Sequence, residues 1–165
     1  MSAVTGVPEL HPAVAPLALL LGEWAGTGSG WYPTIDDFEY RETVTFGHVG
    51  KPFLSYGQRT SALDDGRPLH AETGYWRGSG AGELEIVIAH PFGAAEVSTG
   101  SCRLTASGLV IELVSIAVTS TPTSRQVTEV RRDVEVSGNE LRYRVAMAAV
   151  GRPLQDHLTA VLTRV

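Results

Sequence analysis

Five histidines, His11, His48, His70, His90 and His157, are the side chains of this 165-residue chain best suited to ligate a metal or carry a proton near neutral pH. No two of them stand at the close spacing of a zinc motif. His157 lies in Pro153-Leu154-Gln155-Asp156-His157-Leu158-Thr159-Ala160-Val161. In an extended strand it shares a face with Gln155, Thr159 and Val161, while Asp156, Leu158, Ala160 and Leu162 share the other. The pattern leaves open which face is interior. It also leaves open whether His157 is a hydrogen-bonded structural residue or a ligand. Asp156 points away from the ring, so any carboxylate orienting it must come from elsewhere. His90 is in register with Leu84, Ile86 and Ile88 and is expected to point inward, either into a pocket or to satisfy a turn. His70 follows Leu69 at a strand start with its orientation open, whereas His11 and His48 read as surface or turn residues. Met147 shares a face with Leu141, Tyr143 and Val145 and reads as core or pocket lining.

A second constellation is Gly22, Trp24, Gly26, Gly28 and Gly30, in period-two register. One face of such a strand carries a single indole and otherwise no side chains. Glycine within a strand marks a bend or a close approach. The face is therefore either a barrel corner or room for something flat.

The elements that must position these residues are short and mostly extended. His11–Leu21 is the one helical stretch, with Pro12 in its first turn and Gly22 at its end. Alternating runs follow, separated by turn signals such as Asp64-Asp65-Gly66-Arg67-Pro68, Arg77-Gly78-Ser79-Gly80 and Ser137-Gly138-Asn139-Glu140. Counting the glycine strand, about ten strands are expected, joined by connections too short for a crossover helix. An all-β, antiparallel up-and-down barrel leaves no unpaired edges. In that arrangement the first and last strands pair, which brings His157 near Gly28 or Gly30.

Bulk properties narrow the function classes. The length suits a single domain, 1–165, with the barrel over about 22–165. A formal net charge of −5 disfavours nucleic acid or an anionic membrane as the main partner. Cys102 is the lone cysteine, which excludes an intramolecular disulfide and any Cys-x-x-Cys site. Met1-Ser2-Ala3-Val4 lacks a basic signal-peptide region, and Val14–Leu21 is too short to span a bilayer, so a cytoplasmic protein is expected. The Gly-Ser-Gly segments are not nucleophile elbows, and no phosphate or dinucleotide loop is present.

Together the segments resemble a known family. Gly22-Glu23-Trp24-Ala25-Gly26-Thr27-Gly28 fits G-x-W-x-G-x-G and leads into Gly30-Trp31-Tyr32-Pro33-Thr34-Ile35. Lys51-Pro52-Phe53, Leu69-His70-Ala71-Glu72-Thr73-Gly74-Tyr75 and Pro153-Leu154-Gln155-Asp156-His157-Leu158 follow in order. Over about residues 17–165 the chain is similar to nitrobindin, the haem-binding β-barrel family also described as peroxynitrite isomerases. The resemblance implies a ten-stranded barrel shaped like fatty-acid-binding proteins, holding one non-covalent haem b, with His157 as proximal iron ligand. It places Thr34, Ile35, His70, His90 and Met147 at segments that line or border the pocket, beside the Gly22, Trp24, Gly26 and Gly28 motif. It further implies isomerisation of peroxynitrite to nitrate at ferric iron, a Lewis acid, and nitric oxide binding at reduced iron. The negative charge of the chain means that any attraction of an anion must be local, with Lys51 and Arg152 as candidates.

Two other functions fit the same barrel. One is a carrier of a small apolar ligand without catalysis; the other is a haem-based sensor of nitric oxide or peroxynitrite. An exposed face such as Ile116–Val118 is the candidate surface for a homodimer.

Overall fold

The computed structural model describes residues 6–165, so Met1-Ser2-Ala3-Val4 lie outside the described residues. Among those residues the chain forms a 3₁₀ helix, Pro12–Leu20, and ten strands. The strands are β1 (Gly22–Tyr32), β2 (Ile35–Gly47), β3 (Phe53–Ala62), β4 (Pro68–Gly78) and β5 (Glu83–His90). The second half holds β6 (Ala94–Leu104), β7 (Leu109–Ser120), β8 (Val127–Ser137), β9 (Glu140–Ala149) and β10 (Gln155–Arg164). Each strand pairs with the next, and β1 pairs antiparallel with β10, so the sheet closes into a barrel. The expected architecture is the one found. Among the described residues, no helix is long and apolar enough to cross a membrane.

Alternation builds the wall. In β2, Tyr40, Glu42, Val44 and Phe46 are buried while Arg41, Thr43 and Thr45 are exposed. A period of two turns each such run into one inward and one outward face.

The predicted helix forms with three-residue rather than α-helical periodicity. Pro12 and Pro16 have no N–H to donate, and Val14, Leu17 and Leu20 are fully buried at a spacing of three. At three residues per turn those side chains stack on one side. The helix packs across one end of the barrel. Trp24 Nε1 donates to the Leu20 carbonyl at 2.8 Å, and the Arg164 guanidinium lies 4.1 Å from the Trp24 ring centroid. Arg164 also donates to the carbonyls of Leu19 and Leu21. The indole of the glycine motif is thus part of the barrel's closed end.

The space over the glycine face is filled by neighbouring side chains. A Cβ on Gly28 would meet the Tyr40 ring at 2.4 Å, and one on Gly30 the Phe38 ring at 2.2 Å. At Gly26 it would stand 2.1 Å from the Val161 carbonyl oxygen and 2.8 Å from Leu162 Cα. Close approach to β10 and β2 therefore explains these glycines. Gly26→Ala is expected to lower stability by about 1–3 kcal/mol, because backbone on β10 must move. Thermal melting of the variant would show this as a drop of several degrees, and an unchanged melt would refute the close-packing account.

Inside, the barrel is layered. On β8, Val136 and Val134 lie toward the helix, Arg132 comes next, and Val130 and Val127 lie beyond it. The buried polar side chains Glu42, Gln58, Glu72, Glu96, Ser98 and Arg132 form a belt between two apolar layers. The layer away from the helix contains Tyr32, Val127, Val130, Val145 and Ala149, with Met147 and Leu158 packed against it.

Candidate functional site

His157 sits in the layer away from the helix, and a backbone irregularity puts it there. The β9–β10 register shifts between Asp156 and Leu158, which pair with the adjacent residues Ala146 and Val145. One extra residue, His157, is inserted at that point. Under strict alternation the ring would share the outward face of exposed Val161. The bulge instead turns it toward Tyr32, at 5.4 Å between ring centroids, and Phe38, at 6.4 Å. Leu158 pairs with Gly30, so His157 stands beside the end of the glycine strand.

The orientation of the imidazole follows from one bond. Its Nδ1 lies 2.9 Å from the carbonyl oxygen of Trp31, which can only accept, so Nδ1 carries the hydrogen. Nε2 of the neutral ring therefore carries the lone pair, the form that ligates a metal. Burial holds the His157 pKa below the usual histidine value, partly opposed by the Trp31 bond, with the His70 charge adding to the lowering. The ring is kept neutral by its surroundings. Tyr32 braces the site: its hydroxyl accepts from the Ala149 N–H at 2.9 Å and lies 3.3 Å from the Met147 and Ala149 carbonyls.

The other expected site residues are distributed unevenly. Met147 packs on this apolar layer and pairs with Gln155 at the start of β10. Thr34 and Ile35 are exposed at the β1–β2 turn, where Ile35 pairs with Tyr32. His70 and His90 lie across the barrel on β4 and β5, their rings stacked at 5.4 Å with Phe92 alongside. Gly22 and Trp24 stand at the other end of β1, where Trp24 pairs with Arg164, about 20 Å along the strand from Trp31. Gly26 and Gly28 lie between, covered by Leu162 and Tyr40. His11 caps the helix by accepting from the Ala13 N–H, and His48 accepts from Gly50 N–H in a turn. Two concavities of the wall, one around Thr27–Ser29 and Asp133–Glu135 and the other around Asp37–Glu39 and Ala62–Asp64, do not include His157.

The polar belt is the part that residue spacing did not reveal. Arg132 donates to both oxygens of Glu72 at 3.1 and 3.2 Å and to both of Glu96 at 3.2 and 2.8 Å. The carboxylates raise the Arg132 pKa against the burial that lowers it. Burial opposes ionisation of both acids, but Arg132 and the nearby histidines hold Glu72 well below the usual carboxylate range and Glu96 at about 2. A signal was available: each of these charges falls in the inward register of its strand, as Arg132 does between Val130 and Val134.

Glu42 behaves oppositely. Burial pushes its pKa up to about 7, although the Tyr143 hydroxyl at 2.6 Å and Gln58 Nε2 at 2.9 Å pull it down. The folded chain therefore keeps a proton that the unfolded chain loses near 4.5. Stability contributed by that proton is complete below the unfolded value and declines as pH rises toward 7. Glu42→Gln should remove this decline and leave the variant about 3 kcal/mol more stable than wild type above neutral pH. Urea unfolding at a series of pH values measures it, and parallel profiles for the two proteins would refute the assignment.

Comparison with known proteins identifies the family. The THAP4-like, heme-binding beta-barrel domain model matches residues 13–164. Peroxynitrite isomerase 1 of Mycolicibacterium paratuberculosis is 53% identical over 156 residues, covering 94% of this chain and 97% of that protein. Peroxynitrite isomerase 1 of Mycobacterium tuberculosis is 50% identical over 159 residues, with the same coverage. The crystal structure of Rv2717c from M. tuberculosis superposes with a TM-score of 0.92 at 48% identity, over 95% of this chain and 99% of that one. The chain belongs to the THAP4-like, heme-binding β-barrel domain family, the nitrobindins.

Proposed function

We propose that this chain binds one non-covalent b-type haem through His157 Nε2 and isomerises peroxynitrite to nitrate. The observation that carries the reading is the fixed tautomer of His157 in an apolar layer. Curated relatives named peroxynitrite isomerase, about half identical over nearly the whole chain, support it. The same reading takes nitric oxide as a second small ligand and the cytoplasm as the place of action.

The residues present fit the group. The neutral imidazole of His157 would supply one nitrogen donor to the iron, and the absence of Cys-x-x-Cys suits haem held without thioether links. When bound, ferric haem would supply a Lewis-acidic iron able to take up an anionic oxygen. The protein's own part is positional. Trp31 holds the ring through Nδ1, Tyr32 and Phe38 flank it, and Val130, Val145, Met147 and Leu158 are among the apolar side chains of the layer. Isomerisation requires no net proton transfer, which suits a layer in which His157 is the titratable ligand.

The test is stopped-flow decay of peroxynitrite with haem-loaded protein, with nitrate and nitrite measured at the end. Accelerated decay with nitrate formed over many turnovers per haem is expected. Protein that takes up no haem and leaves the decay unchanged would point to the apolar-ligand carrier instead.

A further inference from the structure

Across the barrel from β10, β4 and β5 bring three potential metal donors to one point. His70 and Glu72 are two apart on β4 and share a face, and His90 is the last residue of β5. His70 Nε2 and His90 Nδ1 are 3.3 Å apart. Glu72 Oε1 is 3.5 Å from His70 Nε2 and 3.7 Å from His90 Nδ1. Donors about 2.1 Å from a tetrahedral ion lie roughly 3.4 Å from one another, so the triangle has the dimensions of a zinc-type site.

Neighbouring groups orient two of the three donors, His90 and Glu72, as a metal site requires. His90 Nε2 is 3.0 Å from Glu96 Oε2. A carboxylate accepts, so His90 carries its hydrogen on Nε2 and turns the Nδ1 lone pair toward the triangle. This is the carboxylate–histidine arrangement that supports metal-bound imidazoles. The Glu72 carboxylate is held by the Tyr56 hydroxyl at 2.9 Å and by Arg132. Charge points the same way: one guanidinium, Arg132, faces two buried carboxylates, so with both histidines neutral the cluster carries a net negative charge.

We propose that His70 Nε2, Glu72 Oε1 and His90 Nδ1 form a second metal site, for a divalent first-row transition ion of the zinc type. Two histidines and one carboxylate leave a fourth position free, as in catalytic rather than structural zinc centres. The partly exposed His70 side chain gives that position its route to solvent. A dication there gives the negatively charged chain a local positive centre inside the barrel. The donors stand on β4 and β5, across the barrel from His157 on β10, so the site can be titrated in haem-free protein.

The experiment uses full-length, haem-free, metal-stripped protein, titrated with Zn(II) against a chromophoric chelator and separately with Co(II). One Zn(II) per chain and the visible absorption of tetrahedral Co(II) are expected. His70→Gln and His90→Gln should each weaken Zn(II) by more than the roughly ten- to hundred-fold typical of losing an outer-shell partner. His157→Ala and His48→Gln should leave Zn(II) affinity unchanged. The wild-type Co(II) spectrum needs no variant to fold. Absence of a saturable one-to-one site, or wild-type Zn(II) affinity in both glutamine variants, overturns the proposal in favour of a hydrogen-bonded histidine pair.

Discussion

His157→Ala loses the Soret band that wild-type protein develops on titration with ferric haem, and nitrate formation falls to the level of protein-free solution. The expected loss of haem affinity is at least about 100-fold, because the ligand itself is removed rather than an outer-shell partner. Folding is little affected. The substitution breaks one hydrogen bond, to the Trp31 carbonyl, worth about 1 kcal/mol in a barrel whose closed end lies at the far side. Melting should therefore fall by only a few degrees. His157→Gly with added imidazole gives a second reading, since free imidazole can enter the vacated position and restore the Soret band. A variant that binds haem with an unchanged spectrum would show that another residue holds the iron.

Arg132→Met costs about 3–5 kcal/mol, because Glu72 and Glu96 are left buried without their counter-charge. For a chain of this length that corresponds to a fall in melting temperature of roughly 10 °C. Replacing the whole group, as Arg132→Met with Glu72→Gln and Glu96→Gln, should recover most of the loss. Acid titration separates charge from packing. The folded-state pKa values of Glu72 and Glu96 are depressed, so their contribution is present above about 4.5 and is lost as pH falls toward 2. That acid limb should flatten in Arg132→Met. A single variant within about 1 kcal/mol of wild type would mean that the belt is not held by charge pairing.

Legibility in the sequence differed from residue to residue. The strands were readable because alternation such as Tyr40, Glu42, Val44, Phe46 is itself the physical cause of a two-faced wall. The closure was readable because connections this short force antiparallel neighbours, and an open sheet of about ten strands would leave unpaired edges. Pairing of β1 with β10 then put His157 near Gly28 or Gly30, and the register, with Gly30 opposite Leu158, selects Gly30. The direction of the ring was not readable. Alternation alone assigns His157 to the face of Val161, and only the inserted residue between the Asp156 and Leu158 pairings turns it inward. A bulge is a property of two strands in register, so neither strand's sequence announces it.

The glycine motif shows the same division. Period two correctly put Gly26, Gly28 and Gly30 on one face, but what fills that face depends on β2 and β10. Tyr40, Phe38 and Leu162 fill it, and Trp24 serves the helix end. By itself the sequence determined the barrel, its strand order, its family and the one histidine at the pairing of the first and last strands. These follow from local periodicity, turn chemistry and motif order. The tertiary structure alone decided the tautomer of His157, the Glu72–Arg132–Glu96 belt and the meeting of His70, Glu72 and His90. Each of these is set by distances between residues up to 126 positions apart, as between Trp31 and His157, which exist only once the barrel has closed.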